Sequence, residues 1–131
     1  MTCQSLELVL ISTPIGYLGS GKGGGVELTI TSIVKGLLAL NHKVILVAPQ
    51  GSFLPPECSK AKIIHISGAD QPSWQHRPLD APVQIPCHGV LPKLLSKALE
   101  FGRDADAVLN FGYDWLPVWL TSRVEVALFH L

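Results

Sequence analysis

The stretch GYLGSGKGGG, residues 16–25, separates an apolar run from a segment with helical periodicity. The run before it, residues 6–12 (LELVLIS), is short and rich in branched side chains, which predicts a buried first strand. After it, apolar residues from Val26 to Leu40 recur every three or four positions, as they do in an amphipathic helix. A strand, a glycine-rich loop and a helix in this order predict the first unit of an α/β fold.

The rest of the chain continues the alternation of strands and helices. Further strands are predicted over residues 43–48 (KVILVA), 62–67 (KIIHIS), 106–111 (DAVLNF) and 125–131 (EVALFHL). Further helices are predicted over residues 91–101 and, interrupted near Pro117, over residues 113–122. Because the strands are apolar throughout, we predict a single Rossmann-like domain over residues 1–131, with a parallel sheet covered by helices on both faces. The chain stops inside its last predicted strand, so we expect it to be the N-terminal part of a longer protein.

Composition narrows the classes of partner. Hydrophobic residues make up 47% of the chain and charged residues 15%, and the net charge is zero, so no basic surface for nucleic acid is expected. No apolar run reaches about 18 residues, which predicts no membrane span. Cys3, Cys58 and Cys87 are far apart and show no metal-ligand spacing. We therefore expect a cytoplasmic protein with no metal site and no nucleic-acid partner.

The glycine-rich stretch has two formal motif matches, and both are imperfect. Read from Gly16 it approaches the P-loop, but glycines follow Lys22 where the motif needs a hydroxyl for magnesium. Three glycines are also a poor first helical turn, since each costs about 0.8–1.0 kcal/mol relative to alanine. Residues 19–24 (GSGKGG) match the dinucleotide fingerprint, but they do not follow the strand directly, and the second strand lacks a terminal acidic residue.

A third interpretation fits the stretch better. Gly23, Gly24 and Gly25 would let the backbone approach a ligand closely, just before the predicted start of the helix at Val26. The N-terminus of a helix carries about half a positive charge and binds phosphate through backbone N–H groups, without metal. Lys22 either neutralises a phosphate charge or is an ordinary exposed lysine. The remaining alternative is that the whole loop is only a flexible connector.

The same residues resemble the start of the GT-B glycosyltransferases of the large retaining family that includes glycogen and sucrose synthases. In that family a G-G-x-E loop opens the first helix and a G-H-x-V-x-V segment opens the next strand. Gly24, Gly25 and Glu27 match the loop, and the segment from Asn41 to Leu46 matches the strand with Asn in place of Gly. The stretches STPIGYLGSGKGGGVELT and LNFGYDWLP are most similar to members that use a pterin as acceptor.

The resemblance implies that this chain is the N-terminal, acceptor-side half of a two-domain enzyme, and that alone it is inactive. The partner would be its own C-terminal domain, which would hold most of the UDP-glucose donor. Gly23, Gly24, Gly25 and Lys22 would then face the donor diphosphate, and no cofactor or metal would be needed. The family often has histidines beyond the fourth strand; here DAVLNF, residues 106–111, keeps neither, so the catalytic residues are not assigned.

The segment after the fourth strand is the candidate acceptor site. Carboxyl ends of parallel strands open on one crevice, so this segment should face the glycine loop. Residues there could stack on a pterin ring, hydrogen-bond to its edge or act as a general base toward a hydroxyl group. The candidate acceptor-binding residues are Asn110, Tyr113, Asp114, Trp115 and His130. The alternatives without a binding role are that Tyr113 and Trp115 are core aromatics, that Asp114 is a helix N-cap and that His130 is a core histidine. For the whole chain, the alternative is a non-catalytic module that binds a small phosphorylated ligand.

Overall fold

The computed structural model describes residues 4–73, 76–82, 84, 86–112 and 115–131, and its centre is a five-stranded parallel sheet. The strands are β1 (Glu7–Ile11), β2 (Lys43–Pro49), β3 (Lys62–Ile66), β4 (Ala107–Asn110) and β5 (Leu128–His130). Their spatial order is β3-β2-β1-β4-β5. The chain adds β2 and β3 on one side of β1 and then β4 and β5 on the other. The predicted α/β class with a Rossmann-like parallel sheet is therefore confirmed, and its carboxyl edge has a topological switch point between β1 and β4.

Helices cover both faces of the sheet, as predicted. They are α1 (Gly25–Ala39), α2 (Val90–Gly102) and α3 (Trp115–Leu120), with short 3-10 turns at Pro56–Cys58 and Thr121–Arg123. Successive side chains of a strand point to opposite faces. Accordingly, Leu8 and Leu10 of β1 pack in the core under α1, whereas Val9 and Ile11 pack in the core under α2.

The end of α1 is determined by Asn41. The Asn41 N–H donates to the Leu38 carbonyl at 3.0 Å and the His42 N–H donates to the Leu37 carbonyl at 3.0 Å, which is the Schellman arrangement. It requires a left-handed residue after the helix, and Asn41 has φ of 62°. Asparagine tolerates this conformation better than most residues with a side chain, so the predicted helix end at Asn41 is correct to within one or two residues.

Two predictions near the C-terminus need correction. The last strand is confined to Leu128–His130 instead of residues 125–131, because its pairing with β4 begins at Val108 and β4 ends at Asn110, opposite His130. Pro117 does not interrupt α3: it is the third residue of that helix, where its missing N–H would have no intrahelical acceptor.

The connection between β3 and α2 is long but anchored at both ends. Ala69 forms an isolated parallel bridge with Gly89, and the Gln71 N–H donates to the Pro14 carbonyl at 2.9 Å. The second bond ties this connection to the β1–α1 loop, near the switch point. In the described residues, no helix has the length and apolar content to cross a membrane.

Candidate functional site

The glycine loop is organised around the side chain of Glu27. Glu27 is the third residue of α1 and is only 7% exposed. Its carboxylate accepts three backbone N–H bonds and one hydroxyl bond, from Gly19 (2.9 Å), Gly21 (3.1 Å), Gly23 (2.8 Å) and Ser20 Oγ (3.2 Å). A glutamate at this position often returns to the N-cap N–H, as in a capping box. Here it reaches further back and orders five residues of the loop.

Alternate N–H groups of the loop thus converge on one anion, which is the arrangement of a backbone nest. Gly19 contributes a φ of 99°, a conformation that residues with a side chain rarely adopt. Burial by itself raises the pKa of Glu27, but the hydrogen bonds from the loop outweigh burial and lower the pKa from its ordinary value of 4.5. The loop is therefore a preformed structure, and its internal anion is a charged carboxylate at neutral pH.

This arrangement sets a clear pH dependence of stability. The pKa of Glu27 is lower in the folded protein than in the unfolded chain. Its ionised carboxylate therefore contributes fully to the free energy of unfolding at pH values above the unfolded-state pKa, and this contribution is lost as the pH falls through the folded-state pKa. We expect the stability difference between the wild type and Glu27→Gln to be constant near neutrality and to shrink below about pH 4.5. Urea unfolding of both proteins between about pH 7 and about pH 3 measures it; a pH-independent difference would contradict the expectation.

The nest changes which N–H groups a ligand can reach. The predicted phosphate site was the backbone at Gly23, Gly24 and Gly25, with free N–H groups at the start of the following helix. In the structure the Gly23 N–H donates to Glu27, and the Gly24 N–H donates to the Gly21 carbonyl at 3.3 Å. Within the described part of the chain, neither Gly25 nor Val26 has an acceptor for its N–H. The open donors are therefore at the first two residues of α1, and the role of the glycine loop toward a phosphate stays a prediction.

The loop after β2 packs against the glycine loop. The Leu18 N–H donates to Ser52 Oγ at 2.8 Å, and the Phe53 N–H donates to the Leu18 carbonyl at 3.1 Å. The Phe53 ring lies against Gly19 so closely that a Cβ there would come within 2.5 Å of it. The loops after β1 and β2 are thus joined by hydrogen bonds and packing at the carboxyl edge of the sheet.

Lys22 lies beside a groove between the β1–α1 and β3–α2 connections. Its Nζ is 3.6 Å from Asp70 Oδ2, and both side chains are about half exposed or more, at 66% and 49%. The groove has a volume of about 340 Å³ and is lined by Ile15, Gly16, Lys22, Asp70, Gln71 and Ser73. No sequence pattern links Asp70 to Lys22; only the crossing of the two connections brings them together.

At the carboxyl end of β4, Asn110 and His130 form part of one hydrogen-bonded chain. The Gly112 N–H donates to Asn110 Oδ1 at 2.9 Å, and Asn110 Nδ2 donates to the Gly112 carbonyl at 3.1 Å. Asn110 Nδ2 is also 3.0 Å from His130 Nδ1, which must accept this bond. The other ring nitrogen, Nε2, then carries the proton and donates to Thr121 Oγ1 at 2.7 Å.

These contacts use the polar atoms that were predicted to bind an acceptor. Asn110 is 2% exposed, and both the oxygen and the nitrogen of its side-chain amide are hydrogen-bonded within the chain. Tyr113 and Asp114, two further predicted acceptor residues, lie outside the described residues. Trp115 is the first residue of α3. The predicted acceptor role of this segment stays a prediction. Asn110 and His130 connect β4 and β5 to the 3-10 turn that follows α3.

Replacing Asn110 with alanine should lower the free energy of unfolding by about 2–3 kcal/mol, because the Gly112 N–H and carbonyl lose a buried partner. His130→Ala should cost about 1 kcal/mol or less, since His130 is exposed and water can replace it. Urea unfolding of both variants tests the ranking. An equal cost, or a larger one for His130→Ala, would show that Asn110 does not organise the segment.

No protein-family model matches the chain, and no curated protein matches it in sequence. Among the described residues, no group of three or more His, Cys, Asp and Glu side chains is placed to hold a metal ion.

Proposed function

We propose that this chain is the acceptor-side domain of a retaining glycosyltransferase that transfers glucose from UDP-glucose to a small acceptor such as a pterin. Within that family, the stretches STPIGYLGSGKGGGVELT and LNFGYDWLP resemble UDP-glucose:tetrahydrobiopterin glucosyltransferase. The observation that carries the proposal is the glycine loop, which Glu27 orders at the switch point of the parallel sheet. Ligands of such sheets bind in the crevice beyond the carboxyl ends of the strands at this point.

The loop suits a diphosphate that approaches from a facing domain. The N–H groups of Gly25 and Val26 are open, and they lie at the positive end of a helix of 15 residues. A Cβ placed at Gly24 or at Gly25 would meet nothing within 4 Å, so the backbone here borders open space. A diphosphate could therefore contact the main chain directly at the N–H groups of Gly25 and Val26. Because Glu27 already orders the preceding loop, binding would need little reorganisation.

The local geometry also argues against the two motif alternatives. In a P-loop the helix begins at the lysine, whereas α1 begins at Gly25, beyond Lys22, and Lys22 pairs with Asp70. In a dinucleotide fold an acidic residue ends β2 to bind the ribose, whereas here β2 ends at Pro49 and Gln50 follows. Neither magnesium nor a nicotinamide cofactor is part of the proposed reaction.

The test uses the full-length protein, in which we propose that a sugar-nucleotide domain follows. Incubation with UDP-glucose and a reduced pterin should release UDP and form a glucosylated pterin at equal rates, with or without EDTA. Residues 1–131 alone should show no transfer and only weak UDP-glucose binding by calorimetry. Micromolar binding of UDP-glucose to residues 1–131 would contradict the division between the two domains.

The alternative, a non-catalytic module for a phosphorylated ligand, predicts a different result in the same assay. It allows phosphate-dependent binding but no UDP release with any acceptor. Absence of UDP release from the folded full-length protein, across pterin and other small hydroxyl acceptors, would therefore overturn the glycosyltransferase proposal.

A further inference from the structure

The strand β3 lies at one edge of the sheet, and its outer side is open. β3 pairs with β2 and is the first strand in the spatial order β3-β2-β1-β4-β5. The Gln50 N–H donates to the Ile66 carbonyl at 2.8 Å, so Ile66 turns its backbone groups toward β2. Because this direction alternates along a strand, Ile63 and His65 turn their N–H and C=O groups away from the sheet. Within the described part of the chain, these outer groups have no hydrogen-bond partner.

The side chains of β3 make this edge apolar on both faces of the sheet. Ile64 and Ile66 pack toward the core under α2, Ile63 packs toward the core under α1, and all three are only half-buried. Proteins usually block an open edge with a charge, a proline or a bulge, and an unblocked apolar edge favours pairing with another strand. Lys62 does not block this edge, because its ammonium group lies over the Phe101 ring of α2, 5.4 Å from the ring centroid.

A second copy of β3 satisfies all of these outer groups when it runs antiparallel, with Ile64 opposite Ile64 of the partner subunit. Ile63 then lies opposite the partner's His65, and the two residues exchange both of their N–H···O=C bonds. The two-fold symmetry repeats this exchange between His65 and the partner's Ile63. The two Ile64 residues occupy the non-hydrogen-bonded position, where Cα atoms are about 4.5 Å apart and side chains are closest. Each isoleucine therefore covers the other.

Other registers would use backbone groups that are already bonded. A pair centred on Ile63 would need Ala61, whose N–H donates to the Cys58 carbonyl at 3.0 Å. A pair centred on His65 would need Ser67, whose carbonyl accepts from Lys93 Nζ at 3.2 Å. The register centred on Ile64 needs neither.

Charge complementarity also favours a second copy as the occupant of this edge. Lys60 and Lys62 lie at the start of the edge, and Asp70 follows its end. Neither lysine forms an ion pair with a carboxylate of the described residues, and the Asp70 side chain is 49% exposed beside Lys22. Antiparallel pairing brings the basic start of each strand toward the acidic end of the other, and cross-strand pairs of opposite charge are stabilising.

We infer that residues 1–131 form a two-fold symmetric dimer in which the β3 strands pair antiparallel and join the two sheets into one. The carboxyl ends of the strands point in opposite directions in the two copies, so each glycine loop keeps its own open crevice. The inference does not depend on the proposed function, because association is measured without any substrate.

Disulfide trapping tests the register. In a background in which Cys3 and Cys87 are replaced by serine, Ile64→Cys should give a covalent dimer on mild oxidation, because the paired Cα atoms are within disulfide range. His65→Cys is the matched control. His65 is more exposed than Ile64, but its two copies are offset along the strands and lie about 7–8 Å apart, too far for a disulfide. Non-reducing electrophoresis reads both variants.

Sedimentation equilibrium tests the backbone bonds without any cross-link. The wild type should be mainly dimeric at about 100 μM, as expected for a small interface. His65→Pro removes an N–H that points away from β2, so the fold should be kept while the dissociation constant rises at least about tenfold. His65→Thr keeps the N–H and favours a strand, and its dissociation constant should stay within about threefold of the wild type. Far-UV circular dichroism checks that both variants are folded.

Three results would overturn the inference. A monomeric wild type at about 100 μM would leave the edge to a different chain, such as an extended peptide of another protein. A dimer that folded His65→Pro leaves unchanged would lie on another surface of the molecule. Equal cross-linking of Ile64→Cys and His65→Cys would exclude the register, and it would do so even if the proline variant failed to fold.

Discussion

Glu27→Ala is expected to lower the free energy of unfolding by about 3–4 kcal/mol, because three backbone N–H groups and a hydroxyl lose their common acceptor at once. The cost stays below the sum of four separate bonds, since the exposed parts of the loop can bind water. Amide hydrogen exchange of Gly19, Gly21 and Gly23 should accelerate together, because the same carboxylate protects all three.

The control for this variant is Glu100→Ala. The side chain of Glu100 is 63% exposed and its contact is an ion pair with Lys97 on the surface of α2, so its loss should cost about 0.5 kcal/mol or less. Urea unfolding gives both values. If Glu27→Ala were no more destabilising than Glu100→Ala, or if the three glycine amides kept their protection, the nest would not be what orders the loop.

In the proposed full-length glycosyltransferase, Gly25→Val is expected to lower turnover by about a hundredfold. A side chain there would hold the proposed donor diphosphate away from the start of α1, and a misplacement of about 1 Å can have this effect. The fold should be kept. A Cβ at Gly25 meets nothing within 4 Å, and Gly25 is already part of the helix. Gly24 is a poorer test, because its φ of 61° makes any side chain strained whatever the activity.

Gly36→Val provides the matched control within α1. A Cβ at Gly36 also meets nothing within 4 Å, and Gly36 lies far along the helix from the glycine loop. Both variants should unfold within about 1 kcal/mol of the wild type, but only Gly25→Val should lose activity. Equal turnover in the two folded variants would show that the start of α1 does not contact the donor.

Sequence periodicity was sufficient for the architecture because the core is built from regular elements. The apolar spacing after Gly25 predicted α1, and the uninterrupted apolar runs predicted strands covered on both faces. The packing of Leu10 and Ile11 into separate cores on opposite sides of β1 confirms this. Asn41 marked the end of α1, since few other residues adopt the left-handed conformation that closes a helix. The prediction was less accurate for β5, whose length depends on how much of β4 is available to pair.

The candidate site depends on contacts that no periodic pattern encodes. A glutamate in the first turn of a helix is favoured by the helix dipole, and the sequence by itself determined that much about Glu27. Only the tertiary structure decided that its carboxylate turns back to bind the loop, and that Asp70 lies beside Lys22. Secondary structure follows from repeated local preferences. The bonds of Glu27 depend instead on the irregular backbone path of the glycine loop, and the Lys22–Asp70 pair depends on where two connections cross above the sheet, which is decided by the packing of the whole domain.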